Sequence, residues 1–177
     1  MGGGAGGAAH ACATCHGLKG EGDGALAPRL AGLDAGYIHR QLDDYVNGRR
    51  DHPEMRAIAR KLRGEDRAKV SAYYAALQPV AVTLPRVSAL YQIRCGSCHG
   101  AQGQGVGPAN PPLAGLSADY IEGQLIAWRT GRRRGEGGEV MLKAARELSR
   151  EQIRQLVALA VAPPPPPRRS QAPAASR

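Results

Sequence analysis

The feature that most constrains this chain is a five-residue stretch that occurs twice, Cys12-Ala-Thr-Cys15-His16 and Cys95-Gly-Ser-Cys98-His99. Two thiols three residues apart share one helical turn and can reach the two vinyl groups of one porphyrin. The adjoining His can then ligate its iron, so the pattern reads as covalent attachment of c-type haem. Other uses of a Cys pair fit less well. A redox dithiol wants a βαβ setting, and the flanking sequence has few β-branched runs. Zinc-ligating pairs usually stand about 12 to 20 residues apart, whereas 80 separate Cys15 from Cys95. With 5 His in 177 residues, two such pairs would each be followed by His by chance only about one time in a thousand. All four Cys belong to the two motifs, which leaves none for a structural disulfide.

Sliding the chain by 83 residues aligns both motifs and, without a gap, residues 12–50 with 95–133; 20 of the 39 pairs are identical. They include Pro28/Pro111, Leu30-Ala-Gly-Leu33/Leu113-Ala-Gly-Leu116, Tyr37-Ile38/Tyr120-Ile121, Gln41-Leu42/Gln124-Leu125 and Gly48-Arg-Arg50/Gly131-Arg-Arg133. Self-similarity at this length means duplication of one folding unit. Past Arg50 the offset becomes 86, so the second copy carries three extra residues in its loop Gly135-Glu-Gly-Gly138. The expected organisation is a first domain over 1–80 with a Gly-rich segment 1–9, a linker over 81–86, a second domain over 87–162, and a disordered Pro/Arg-rich tail over 163–177. The two prolines of Gln78–Pro85 make the connector stiff, and its apolar centre is expected to pack.

Each unit reads as short helices joined by Gly-rich and Pro-rich loops. Asp34 can cap a helix running to about Asn47, with Tyr37, Ile38, Leu42, Tyr45 and Val46 on its apolar face; Ser117 and Gly131 bracket the counterpart. Val70, Tyr73, Tyr74 and Leu77 predict the last helix of the first unit, and Ile153, Leu156, Val157 and Ala160 that of the second. Ser149 and Gln152 form a capping-box signature ahead of it. Val87–Arg94 reads as the helix leading into the second motif. Ahead of the first motif stand Gly and Ala, and each interior Gly costs about 1 kcal/mol against Ala, so that leading helix is expected to be missing or weak and the first unit the less stable.

Units of about 80 residues bury little surface, and a large apolar cofactor would supply the core they lack. The absence of Phe agrees with this. The formal charge of +9 favours encounter with acidic partners. No apolar run approaches the ~20 residues that span a bilayer, and the first nine residues lack the pattern of a secretory signal. Because haem is attached beyond the cytoplasmic membrane, the expected location is periplasmic, with the signal not present in this chain.

An iron that only passes electrons needs a second axial ligand, and Met raises its potential. Met55 and Met141 follow their motif His by 39 and 42 residues, at corresponding places in the two copies. Against this stands a gap-filling role in the core, a common use of Met. His52 is the rival ligand, but it has no partner in the second copy, nor do His10 and His39. The repeated arginines, Arg49-Arg50 and Arg132-Arg133-Arg134, lack the aromatic interleaving of a nucleic-acid patch. They are expected to contact haem propionates or the other domain.

Taken in order, these motifs resemble the tandem dihaem class I cytochromes c, and most the cytochrome c4 group, over about residues 10–162. The resemblance implies an all-α fold of two tandem cytochrome c class I domains, each wrapped around one covalent haem c held by Cys12 and Cys15 or by Cys95 and Cys98. It implies His16 and His99 as proximal ligands, Met55 and Met141 as distal ligands, and Pro28 and Pro111 as carbonyl acceptors for the proximal imidazoles. The implied function is electron carriage between a quinol-oxidising respiratory complex and a terminal oxidase. The alternative is the electron-accepting subunit of a periplasmic dehydrogenase of flavocytochrome sulfide or alcohol type. A dihaem enzyme, such as a peroxidase or thiosulfate dehydrogenase, is the third reading; a Met in both copies and Cys wholly used for attachment speak against it. Expected partners are redox proteins with acidic docking surfaces and membrane complexes, with no nucleic acid and no small-molecule substrate.

Overall fold

The computed structural model describes residues 5–79, 82–135 and 137–160; the tail expected over 163–177 lies outside them. The described chain is helical, with isolated antiparallel bridges at Arg50–Arg133 and Val106–Asn110 in place of strands. In the first unit α1 spans Ala5–His16, α2 Ala35–Val46, α3 Pro53–Lys61 and α4 Gly64–Ala76. In the second, α5 (Ala89–Tyr91), a π-helical turn over Gln92–Gly96 and α6 (Ser97–His99) form one helical run into the motif. Then come α7 (Ala118–Arg129), α8 (Glu139–Arg146), α9 (Arg150–Val157) and a 3₁₀ turn over Ala158–Ala160.

The helix starts follow side-chain capping. Asp34 Oδ1 accepts from the Tyr37 N–H at 2.8 Å, Ser117 Oγ from the Tyr120 N–H at 3.1 Å, and Ser149 with Gln152 closes the capping box of α9. A helix does form ahead of the first motif, where it was expected to be missing or weak. Five alanines favour it, and α1 lies against α4, so tertiary packing outweighs the glycine cost. The second leading helix starts at Ala89 rather than Val87, because Ser88 Oγ accepts from the Tyr91 N–H at 3.1 Å and sets the boundary.

Each unit has its own core. Ile38, Leu42, Tyr45, Ala59, Val70 and Tyr74 form one; Leu84, Tyr91, Ala114, Leu148, Ile153, Leu156 and Leu159 form the other. Leu84 is buried, and its N–H bonds the Gln102 carbonyl at 2.9 Å, so this part of the connector packs on the second unit. Tyr73, expected on the buried face of α4, is 42% exposed and sets its ring edge against Tyr74, which is fully buried. A cleft of about 720 Å³ opens between the units on the connector side, lined among others by Arg29, Asp34, Tyr37, Gln104 and Pro111.

Candidate functional site

Each motif ends a helix in the same way. His16 and His99 are the last residues of α1 and α6, and both are buried. His16 Nδ1 lies 2.8 Å from the Pro28 carbonyl oxygen and His99 Nδ1 2.7 Å from that of Pro111. A carbonyl only accepts, so each Nδ1 carries the proton and each Nε2 keeps its lone pair. Burial lowers the pKa of both imidazoles, an effect only partly offset by the proline carbonyls, which favours the neutral form an iron ligand requires. Cys12, Cys95 and Cys98 are half-buried and Cys15 is exposed. Burial pushes the Cys12 thiol up and, with Cys98 beside it, the Cys95 thiol to about 11.

Met55 and Met141 occupy one register position, the third residue of α3 and of α8, and both are half-buried. Met55 lies against the first core. His52, the rival ligand, is the residue before α3; its Nδ1 accepts from the Met55 N–H at 3.4 Å, and its ring stands edge-on to Tyr45. The second copy starts α8 from Gly138 with no side-chain cap.

Between the units, the second arginine of each repeated pair is buried while Arg132 and Arg134 are exposed. Arg50 donates through Nη1 to Gln41 Oε1 and through Nη2 to Tyr120 Oη and Gln124 Oε1, each at 2.8 Å. Arg133 mirrors it, donating through Nη1 to Gln124 Oε1 at 2.7 Å and through Nη2 to Tyr37 Oη at 3.0 Å and Gln41 Oε1 at 2.8 Å. Arg50 stacks over Tyr45 and Arg133 over Trp128, at 4.8 and 4.7 Å from the ring centroids. Backbone bonds close the arrangement, from the Asp51 N–H to the Arg132 carbonyl at 2.9 Å and from the Arg134 N–H to the Arg49 carbonyl at 2.8 Å. Of the two expectations for the arginines, contact with the other domain is the one seen. The duplicated Tyr, Gln and Arg were visible in the sequence, but not that each would reach into the opposite unit.

The side chains that accept from the two guanidiniums, Gln41, Gln124, Tyr37 and Tyr120, are neutral. Burial raises the Tyr37 phenol pKa, but Arg133, Arg50 and Arg40 outweigh that and bring it below its ordinary value. Arg133 Nε is buried without a hydrogen-bond acceptor among the described residues. A positive, incompletely satisfied centre of this kind suits an anionic group, and haem brings two carboxylates. With paired thiols and a neutral imidazole in each unit, the residues present fit a c-type haem.

The cytochrome c family profile matches residues 4–78 and again 85–159. The chain is 42% identical over 168 residues to the thiosulfate dehydrogenase electron acceptor of Stutzerimonas stutzeri (strain A1501), covering 85% of this chain and 78% of that protein. It is 31% identical over 157 residues to cytochrome c4 of Pseudomonas aeruginosa, covering 80% and 78%. It superposes on reduced recombinant cytochrome c4 from Pseudomonas stutzeri with a TM-score of 0.74 and 26% identity, over 89% of this chain and 97% of that one. On the thiosulfate dehydrogenase (TsdBA) from Marichromatium purpuratum the TM-score is 0.73 and the identity 37%, over 86% of this chain but 36% of that one.

Proposed function

The chain belongs to the cytochrome c family as a dihaem electron-transfer protein with two covalent c-type haems, and from that premise we propose that it accepts electrons from a periplasmic thiosulfate dehydrogenase and passes them to a terminal oxidase. The observation that carries this reading is the 42% identity over most of the chain to an electron acceptor of that dehydrogenase, against 31% to a cytochrome c4. It refines the sequence-based alternative of a dehydrogenase-linked subunit, with thiosulfate in place of sulfide or an alcohol. The general respiratory carrier is the second reading, supported by the likeness to cytochrome c4 over 97% of the solved chain.

In this proposal Cys12 and Cys15 hold one haem and Cys95 and Cys98 the other, with His16 and Met55, His99 and Met141 as axial ligands. When bound, the haems supply one-electron redox chemistry, and two such centres match a two-electron oxidation. The residues of the chain tune and shield. The Pro28 and Pro111 carbonyls fix each imidazole and raise its basicity. The cores around Tyr74 and Tyr91 keep water out. Arg50 and Arg133 supply positive charge for the haem carboxylates. The net charge of +9 draws in acidic partner surfaces. No helix among the described residues is long and apolar enough to cross a membrane.

The test is anaerobic reduction of the oxidised protein, followed in its visible bands. Thiosulfate with a thiosulfate dehydrogenase should reduce both haems, and thiosulfate alone neither. Reduction by a quinol-oxidising complex but not by the dehydrogenase would transfer the conclusion to the respiratory reading. Turnover with thiosulfate alone would make the chain an enzyme.

A further inference from the structure

We propose that Asp44 of the first unit is a positioning residue for Met141 of the second, so that one haem's axial methionine is held from across the unit interface. This rests on the methionine assignment proposed above. Asp44 is a carboxylate on the buried face of α2, 2% exposed, where the second copy has Ala127. Its Oδ1 accepts from Arg49 Nε at 2.9 Å. Its other oxygen lies against the backbone of Gly135: a Cβ built on Gly135 would fall 1.8 Å from Oδ2. Only glycine lets the chain pass this close.

Gly135 opens the loop that carries the three residues the first copy lacks. The loop closes as a turn through the Gly138 N–H to the Gly135 carbonyl at 2.8 Å, and Gly138 precedes α8. A Cβ on Gly138 would meet the Trp128 ring at 2.4 Å, so the backbone at Gly138 lies close against that ring. Met141 follows within the first turn of α8. The start of the loop is pinned as well, since the Arg134 N–H bonds the carbonyl of Arg49, the residue whose side chain Asp44 holds. Two features that break the duplication, a buried carboxylate in one unit and an insertion in the other, therefore meet. The first unit sets Met55 by local means, with His52 capping α3. The second has no such cap and takes its support from Asp44.

The experiment compares the holoprotein with its Asp44→Asn and Asp44→Ala variants. The readouts are the sulfur-to-iron charge-transfer band, the shifted methionine methyl resonances of the two haems, separate haem potentials, and mapping of Met55 and Met141 oxidation by dilute peroxide. In the variants one methionine resonance set should broaden or vanish while the other persists, and the charge-transfer band should fall by about half, as one of two Met-ligated irons is affected. The potential of the second haem alone should drop, and Met141 should oxidise faster while Met55 does not. Gly135→Ala should act in the same direction through steric conflict. The first haem serves as the internal control for folding. Unchanged resonances, potentials and oxidation rates in all three variants would overturn the proposal, as would equal loss at both haems. A wild-type protein without any methionine signature would instead sink the ligand assignment.

Discussion

Substituting Arg133 tests whether the interface is held by the crossed arginine pair. The side chain donates to Tyr37 Oη, Gln41 Oε1 and Gln124 Oε1. Hydrogen bonds from a charged donor are worth about 1.5–3 kcal/mol each. Gln41 and Gln124 keep a second donor in Arg50, whereas the interunit bond to Tyr37 Oη comes from Arg133. The loss should therefore approach one to two bonds, about 2–4 kcal/mol. Removing the cation from the Trp128 face adds about 1 kcal/mol. We expect Arg133→Met to cost about 3–5 kcal/mol in unfolding free energy, and Arg133→Lys nearly as much, since an ammonium cannot reproduce the fork. In guanidinium titrations followed by both haem absorption and circular dichroism, the single transition of the wild type should split as the units uncouple. Arg50→Met should cost a similar amount. The double variant should cost more than the sum by about 1–3 kcal/mol, because each single variant leaves the two shared acceptors a donor and already relieves the repulsion between the arginines. A loss below about 1 kcal/mol for each single variant, with strictly additive effects, would refute the reasoning.

Replacing Met55 or Met141 by Ala should remove about half of the sulfur-to-iron band and lower the potential of one haem each; spectroelectrochemistry separates the two. Burial pushes the Tyr91 phenol up to about 12, against about 10 for a free tyrosine. The unfolded chain thus ionises first, and stability is full below about pH 10 and falls as pH rises towards 12; Tyr91→Phe should flatten that slope in thermal melts, at the expense of the bond to the Gly100 carbonyl. Ser149→Ala breaks the capping box of α9 and should cost about 1 kcal/mol by chemical denaturation.

What could be read from the sequence was whatever the duplication repeated. The motifs, the caps at Asp34 and Ser117, and the matched methionines stood at fixed offsets, so each copy vouched for the other, while the capping box at Ser149, which faces Arg63 in the first copy, was legible from its own signature. What could not be read depended on contacts made from outside the segment. Propensity alone argued against α1, yet α4 supplies the surface on which it folds. The periodicity of α4 could not tell Tyr73 from Tyr74, because Tyr73 covers its neighbour's ring from the outside. In the Arg-Arg pairs the second member is buried, a distinction set by the antiparallel bridge at Arg50–Arg133. Asp44 leaves only a faint signal in the sequence, a charge between Leu42 and Tyr45 on an apolar face, because its partner Gly135 belongs to the other unit.

The two kinds of interunit contact differ in symmetry, and that difference bears on function. Arg50, Tyr37 and Gln41 meet Arg133, Tyr120 and Gln124 as copies related by a two-fold axis, the self-complementary contact that a duplicated unit forms with itself. Such a centre holds the two units at one separation and orientation, which electron exchange between them requires. It cannot by itself make the two haem environments differ. Three departures from symmetry lie instead on the segments that lead into the methionine helices or against them: His52 against an uncapped α8, the added loop that starts at Gly135, and Asp44, in place of Ala127, against Gly135. Haem potential responds to the axial ligand and to nearby charge and hydrogen bonding. Divergence placed there can separate the two potentials while the crossed arginines keep the geometry, giving the electron a preferred direction along a chain whose halves began as copies.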